Sequence, residues 1–196
     1  MSKGIMLIAG LGNPGRQYAD TRHNAGFRFL EAVARHCGAA MKMESKFSAE
    51  AGRADIAGHT VWLLAPATYM NNSGDAVAGF ARFHKIPPES ILVVHDDLDL
   101  PPGAVRFKRG GGHGGHNGLR DIERKLGSRE FARLRIGIGH PGAAPLVESY
   151  VLKRASVEEQ DAIDGAIDTA RDELAAILHG EEQAVMNRLH ARPTES

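Results

Sequence analysis

Apolar residues along this chain follow two rhythms that alternate through its first 139 positions. Short apolar runs bounded by turn residues read as buried strands, and apolar residues spaced i, i+3, i+7 read as one face of a helix. Gly4 to Ala9 (GIMLIA) has the first pattern, Gly10 to Thr21 is a loop rich in Gly, Asn and Pro, and Ala25 to Cys37 has the second. Two β-like segments follow, Glu50 to Ile56 and His59 to Leu64, joined by Ala57-Gly58. Gly74 to His84 predicts a helix with Val77, Phe80 and Ala81 inward, and Pro87-Pro88 closes that region. Ile91 to His95 (ILVVH) is the clearest buried strand. Ala104 to Lys108 predicts another, then a glycine-rich loop over Gly110 to Gly118, a helix over Leu119 to Leu126 stopped by Gly127, and a strand over Arg135 to Gly139. From Ser156 onward the chain predicts helix. It opens with a Ser156/Glu159 capping box and buries Ile163, Ile167, Ala170, Leu174 and Ile177.

Strands alternating with helices predict an α/β fold. The expectation is one domain over residues 1–196: a twisted, mostly parallel or mixed sheet covered by helices on both faces, with a helical C-terminus. Ligands in such sheets bind at the carboxyl ends of strands. The polar clusters Asn13 to Asn24, Thr68 to Ser73, His95 to Asp99 and Gly110 to Asn117 all follow predicted strands, so they are expected at one edge.

Composition narrows the function classes. Lys plus Arg and Asp plus Glu number 24 each, so any contact with nucleic acid must come from a local patch. Arg106, Lys108, Arg109, Arg120, Arg124, Lys125, Arg133 and Arg135 could form one around the glycine-rich loop, or could be solvated faces. No run approaches the ~18 apolar residues of a membrane span, and Met1 to Gly15 is too weakly apolar for a signal peptide. The single cysteine, Cys37, excludes an internal disulfide, lies on the inner helix face, and points to a cytoplasmic location.

Gly10, Gly12 and Gly15 match a dinucleotide fingerprint in spacing only. Pro14 and Gln17 to Thr21 intervene before the helix, and no acidic residue ends a second strand at the required distance. These glycines are read as letting the backbone turn and approach a ligand. His23 is a candidate general base, histidine being the commonest near neutral pH, and Asp96 ends the buried strand where a carboxylate needs a partner. A His–Asp pair without an obvious nucleophile suggests direct activation of water. Asp97 and Asp99 read as turn formers before Pro101-Pro102. His113-x-x-His116 beside His95-Asp96-Asp97 imitates a ligand set but lacks any recognised metal-site spacing, so neither metal nor cofactor is expected.

GLGNPG with Tyr18, TRHNAGF, TYMNNSG, HDDLDLPPG, GGGHGGHNGLRDI and RLRIGIGHPG occur in this order between Gly10 and Gly142. Together they resemble the bacterial peptidyl-tRNA hydrolase family over about three-quarters of the chain. The resemblance implies cleavage of the ester joining a peptide to the 3′ ribose of tRNA, by a monomer. It implies His23 as the base, Asp96 as its orienting partner, and Asn13 as the residue discriminating substrates with a blocked amino group. Asn71 and Asn117 would hydrogen-bond the peptide and the ester end. Tyr18 and Tyr69 would line the tRNA 3′-end site, Met70 and His116 would shape the cleft, and Arg106, Lys108 and Arg135 would hold tRNA phosphate. Ala65 and Asp97 are small departures from the family's usual residues. A non-catalytic RNA-binding paralogue is the alternative, against which Asn13, His23, Asp96 and Asn117 argue.

Overall fold

Leu7–Gly10 forms strand β1 at the middle of a seven-stranded sheet in the structure, a computed structural model that describes residues 4–192. The other strands are β2 (Lys42–Glu44), β3 (Ala49–Ile56), β4 (His59–Pro66), β5 (Ile91–Asp97), β6 (Val105–Arg109) and β7 (Ala132–Gly137), in the order β2-β3-β4-β1-β5-β7-β6. The central strands β4, β1, β5 and β7 are parallel, and β2, β3 and β6 add antiparallel edges. The sheet is therefore mixed around a parallel centre, and the carboxyl ends of β1, β5 and β7 open on one side.

The central strands show why continuous apolar runs were needed. In β1, Leu7 and Ala9 face one core cluster and Ile8 faces the other. In β5, Ile91 and Val93 share the first face, Leu92 and Val94 the second. Helices α1 (Ala25–Cys37) and α5 (Val157–Asp172), with α6 (Leu174–Leu178) and α7 (Glu182–Ala191), contribute to one cluster. Helices α2 (Ser73–Phe83) and α3 (Asn117–Leu126) contribute to the other, and a short helix α4 (Val147–Val151) lies between β7 and α5. Burying one such aliphatic side chain contributes roughly 1.5–3 kcal/mol.

The glycines of the first loop act differently from the sequence expectation. A Cβ on Gly10 would lie 2.4 Å from the Gly26 carbonyl oxygen, and one on Gly12 would enter the Phe27 ring. Both close approaches are to α1, so these glycines seat the helix on β1. Gly15, at φ 104°, supplies the turn.

The structure adjusts some of the expected elements and adds others. The last strand begins at Ala132 instead of Arg135, because Arg133 breaks the apolar run yet is buried within it. Its Nη1 donates to the Gly110 and Gly112 carbonyls, each at 2.9 Å, and its Nη2 to Glu123 at 3.2 Å, while its Nε is buried without a partner. The helical C-terminus consists of α5, α6 and α7, with Gly180 at φ 83° between α6 and α7. The capping box is half formed: Ser156 Oγ accepts from the Glu159 N–H at 3.2 Å, but the Glu159 carboxylate binds Arg22. Edge strand β2 and helix α4 are too short for periodicity to reveal.

Candidate active site

The loop after β1 is stitched to the entry of α1. Asn13 N–H donates to Asn24 Oδ1 at 2.8 Å, and Asn24 Nδ2 donates back to the Asn13 carbonyl at 2.9 Å. The Asn13 side chain is then oriented by a third bond, from the Met70 N–H to its Oδ1 at 2.7 Å. With that oxygen accepting, the amide Nδ2 is the end left to donate. Asn24 is a positioning residue that sequence reading missed, since its role depends on closure of this loop.

Residues Arg22–Asn24 form one 3-10 turn that brings His23 over the end of β5. His23 Nδ1 lies 2.8 Å from Asp96 Oδ2, and His116 Nε2 lies 2.9 Å from Asp96 Oδ1. One carboxylate thus serves two imidazoles. His116 also caps α3: its Nδ1 accepts from the Gly118 and Leu119 amides at 3.1 and 3.3 Å. A nitrogen accepting from amides carries no proton, so the Nε2 of a neutral His116 is the donor to Asp96. Burial works against the Asp96 charge, but the two histidines and their hydrogen bonds outweigh it and hold the carboxyl far below the ordinary carboxylate range. His23 then donates through Nδ1 and keeps Nε2 as its free base. Burial lowers the His23 pKa, yet the charge of Asp96 and the hydrogen bond to it raise it further, so the net value lies above that of an ordinary histidine. His95, fully buried with its Nδ1 2.7 Å from the Asp96 carbonyl, is driven down to about 4, chiefly by burial, and stays neutral.

These groups open on a cleft of about 670 Å³. Asn13, Tyr18, His23, Tyr69, Met70, Asn71, Asp96, His116, Asn117, Lys108 and Arg135 all line it, so the predicted polar clusters do converge. Tyr18 and Tyr69 meet edge to face at 6.4 Å. Arg106 is the exception. It does not line the cleft, and its Nη1 donates to the carbonyls of Val105 and Leu189 beneath α7. Asp97 is more than a turn former: Oδ1 accepts from the Asp99 N–H as expected, while Oδ2 holds Arg135 Nε at 2.7 Å. The basic cluster is largely paired. Arg109 binds Glu182, Arg124 and Lys125 bind Asp121, and Arg133 binds Glu123. Lys108 and the outer nitrogens of Arg135 are the cations it presents to the cleft.

Among the described residues, His23, Asp96 and His116 are the one group of three with donor atoms close enough to hold a metal. The donor chemistry does not fit. The two imidazole nitrogens that would face an ion are those donating to the carboxylate, and the other nitrogen of His116 accepts from α3. Exhaustive chelation followed by assay should leave hydrolytic activity unchanged. Loss of activity that zinc or magnesium restores would contradict this reading.

A family model described as peptidyl-tRNA hydrolase matches residues 7–196. Peptidyl-tRNA hydrolases of Marinomonas sp. and Saccharophagus degradans are 52% and 54% identical over 189 residues each. The match covers 96% of this chain in both cases, and 97% and 96% of those proteins. The solved peptidyl-tRNA hydrolase of Acinetobacter baumannii superposes with a TM-score of 0.94 at 50% identity, over 97% of each chain.

Proposed function

The chain belongs to the peptidyl-tRNA hydrolase family, and from that premise we propose that His23 is the general base of an ester hydrolysis carried out in the cleft. The chain is an ester-bond hydrolase whose substrate is peptidyl-tRNA; the non-catalytic alternative falls away at about 50% identity to hydrolases over nearly the whole length. The observation that carries the role of His23 is the shared carboxylate. Because His116 is fixed as a donor to Asp96, the carboxylate stays ionised and commits His23 to donating through Nδ1, leaving Nε2 unprotonated.

Water attacks the ester carbonyl carbon while His23 Nε2 takes its proton, a role worth typically ~10²–10⁴-fold. The tetrahedral intermediate collapses by breaking the bond to the ribose oxygen, which receives the proton from the imidazolium. The Asn13 amide donates to carbonyl oxygen of an N-blocked substrate, and Asn71 and Asn117 bind the peptide and the ester end. Tyr18 and Tyr69 flank the tRNA 3′ end, with Met70 as packing beneath. Lys108 and Arg135 hold phosphate electrostatically. Residues 1–196 act as one domain, a monomer in the cytoplasm: one sheet separates both core clusters, and a single cysteine suits a reducing compartment.

The test is release of N-acetyl-aminoacyl-tRNA and of free aminoacyl-tRNA by the same preparation. The first should be hydrolysed and the second spared. Equal cleavage of both would contradict the role of Asn13, and cleavage of neither would contradict the activity.

A further inference from the structure

Arg22 directly precedes His23 in the 3-10 turn and is itself buried. Its contacts run to α4, to the residues just after it, and to the first turn of α5. Nη1 donates to the Tyr150 carbonyl at 3.0 Å, Nη2 to Glu159 Oε2 at 3.3 Å, and Cζ sits 3.8 Å over the Tyr150 ring. The backbone repeats the connection: Arg22 N–H donates to the Lys153 carbonyl at 3.0 Å, and Thr21 forms an antiparallel bridge with Arg154. Tyr150 is fixed in turn, its hydroxyl donating to the Ile138 carbonyl at 2.6 Å.

Tyr150 belongs to α4, and Val147, Glu148, Val151 and Leu152 of that segment line the cleft. One short helix therefore forms part of the substrate wall and grips the residue beside His23. A guanidinium is a costly group to bury for packing alone, and the Nε of Arg22 is buried without a partner. What it supplies is direction: two donors and a planar face that fix one orientation of the turn. We propose that Arg22 is a positioning residue for the hydrolysis, holding His23 in its Asp96-bonded pose and tying that pose to α4. The inference rests on His23 being the base. A misplacement of about 1 Å can cost on the order of 10²-fold in rate.

Arg22→Ala, Arg22→Lys and Glu159→Gln in the full chain test it, with N-acetyl-aminoacyl-tRNA kinetics, melting curves and the downfield proton NMR signal of the His23 Nδ1–H, assigned by its absence in His23→Asn. Arg22→Ala should lower kcat about 10²-fold, change KM far less, and broaden or abolish the Nδ1–H signal in a folded protein. Arg22→Lys should recover part of both, and Glu159→Gln, at a side chain 41% exposed and with an amide oxygen still able to accept, should stay near wild type. An Arg22→Ala protein that melts lower but keeps kcat and the signal would overturn the proposal. Should Arg22→Ala fail to fold, Arg22→Lys decides: reduced kcat in a folded protein supports the proposal, and wild-type kcat overturns it. If His23→Asn is inactive while the Arg22 variants turn over normally, only this inference fails. If His23→Asn stays active, the assignment of the base fails first.

Discussion

His23→Ala should lose about 10²–10⁴-fold in kcat, the range a positioned general base supplies, while the protein remains folded. His23 lies in the polar Asn13 to Asn24 cluster, a setting from which the sequence predicts little packing loss on truncation. The structure revises that, because His23 is only 9% exposed and bonds the Asp96 carboxylate. Removing it leaves one Asp96 oxygen without a donor, a loss of roughly 1–3 kcal/mol. Asp96 keeps its bond from His116, so the fold should hold. His23→Asn is the companion variant, since an amide can still donate to Asp96 but cannot act as a base near neutral pH. Both variants should melt as cooperative proteins and fail in N-acetyl-aminoacyl-tRNA release. Substantial activity in either one would remove His23 from the mechanism.

Asp96→Asn should cost between about 10-fold and 10⁴-fold in kcat, the upper figure being that of a tautomer reversal in a serine-protease triad. The reason lies in His116. The Gly118 and Leu119 amides hold its Nδ1 as an acceptor, so its Nε2–H must find an oxygen. An asparagine has one amide oxygen, and His116 claims it. The amide nitrogen then faces His23 Nδ1 and makes that nitrogen the acceptor, which places the proton of a neutral His23 on Nε2, where the base is needed. The same change removes the charge that raises the His23 pKa, while the burial that lowers it remains. The sign is therefore definite: the acid limb of kcat/KM, which reports the free enzyme, moves to lower pH. Asp99→Asn, at an exposed turn position, should leave both kcat and the limb in place.

The parts legible in the sequence were those encoded locally. ILVVH announced β5, and Ala57-Gly58 announced the β3–β4 turn, where φ is 50° and 82°. His23, Asp96, Asn13, Asn71 and Asn117 stood out because each lies in one of the polar clusters tied to strand ends, within a motif of recognisable family character. What remained hidden was relational. The Arg22–Tyr150 contact spans 128 positions, and nothing at either residue advertises it. Asn24 reads as an ordinary helix-start residue until the first loop folds onto it. His116 could be read as a cleft residue, but its double duty as cap of α3 and donor to Asp96 needs both partners in place. Gly10 looked like a ligand-facing glycine because sequence shows that a Cβ is missing, not which backbone occupies the space.

The central claim is that the imidazole of His23, supported by Asp96, is the base that limits the reaction at low pH. An NMR titration of the His23 ring, run beside the pH dependence of kcat/KM in wild type and Asp96→Asn, tests it most directly. The two midpoints should coincide above the ordinary histidine value of about 6.5 in wild type and move down together in Asp96→Asn. A kinetic limb that stays fixed while the His23 titration moves, or that never matches it, would contradict the account.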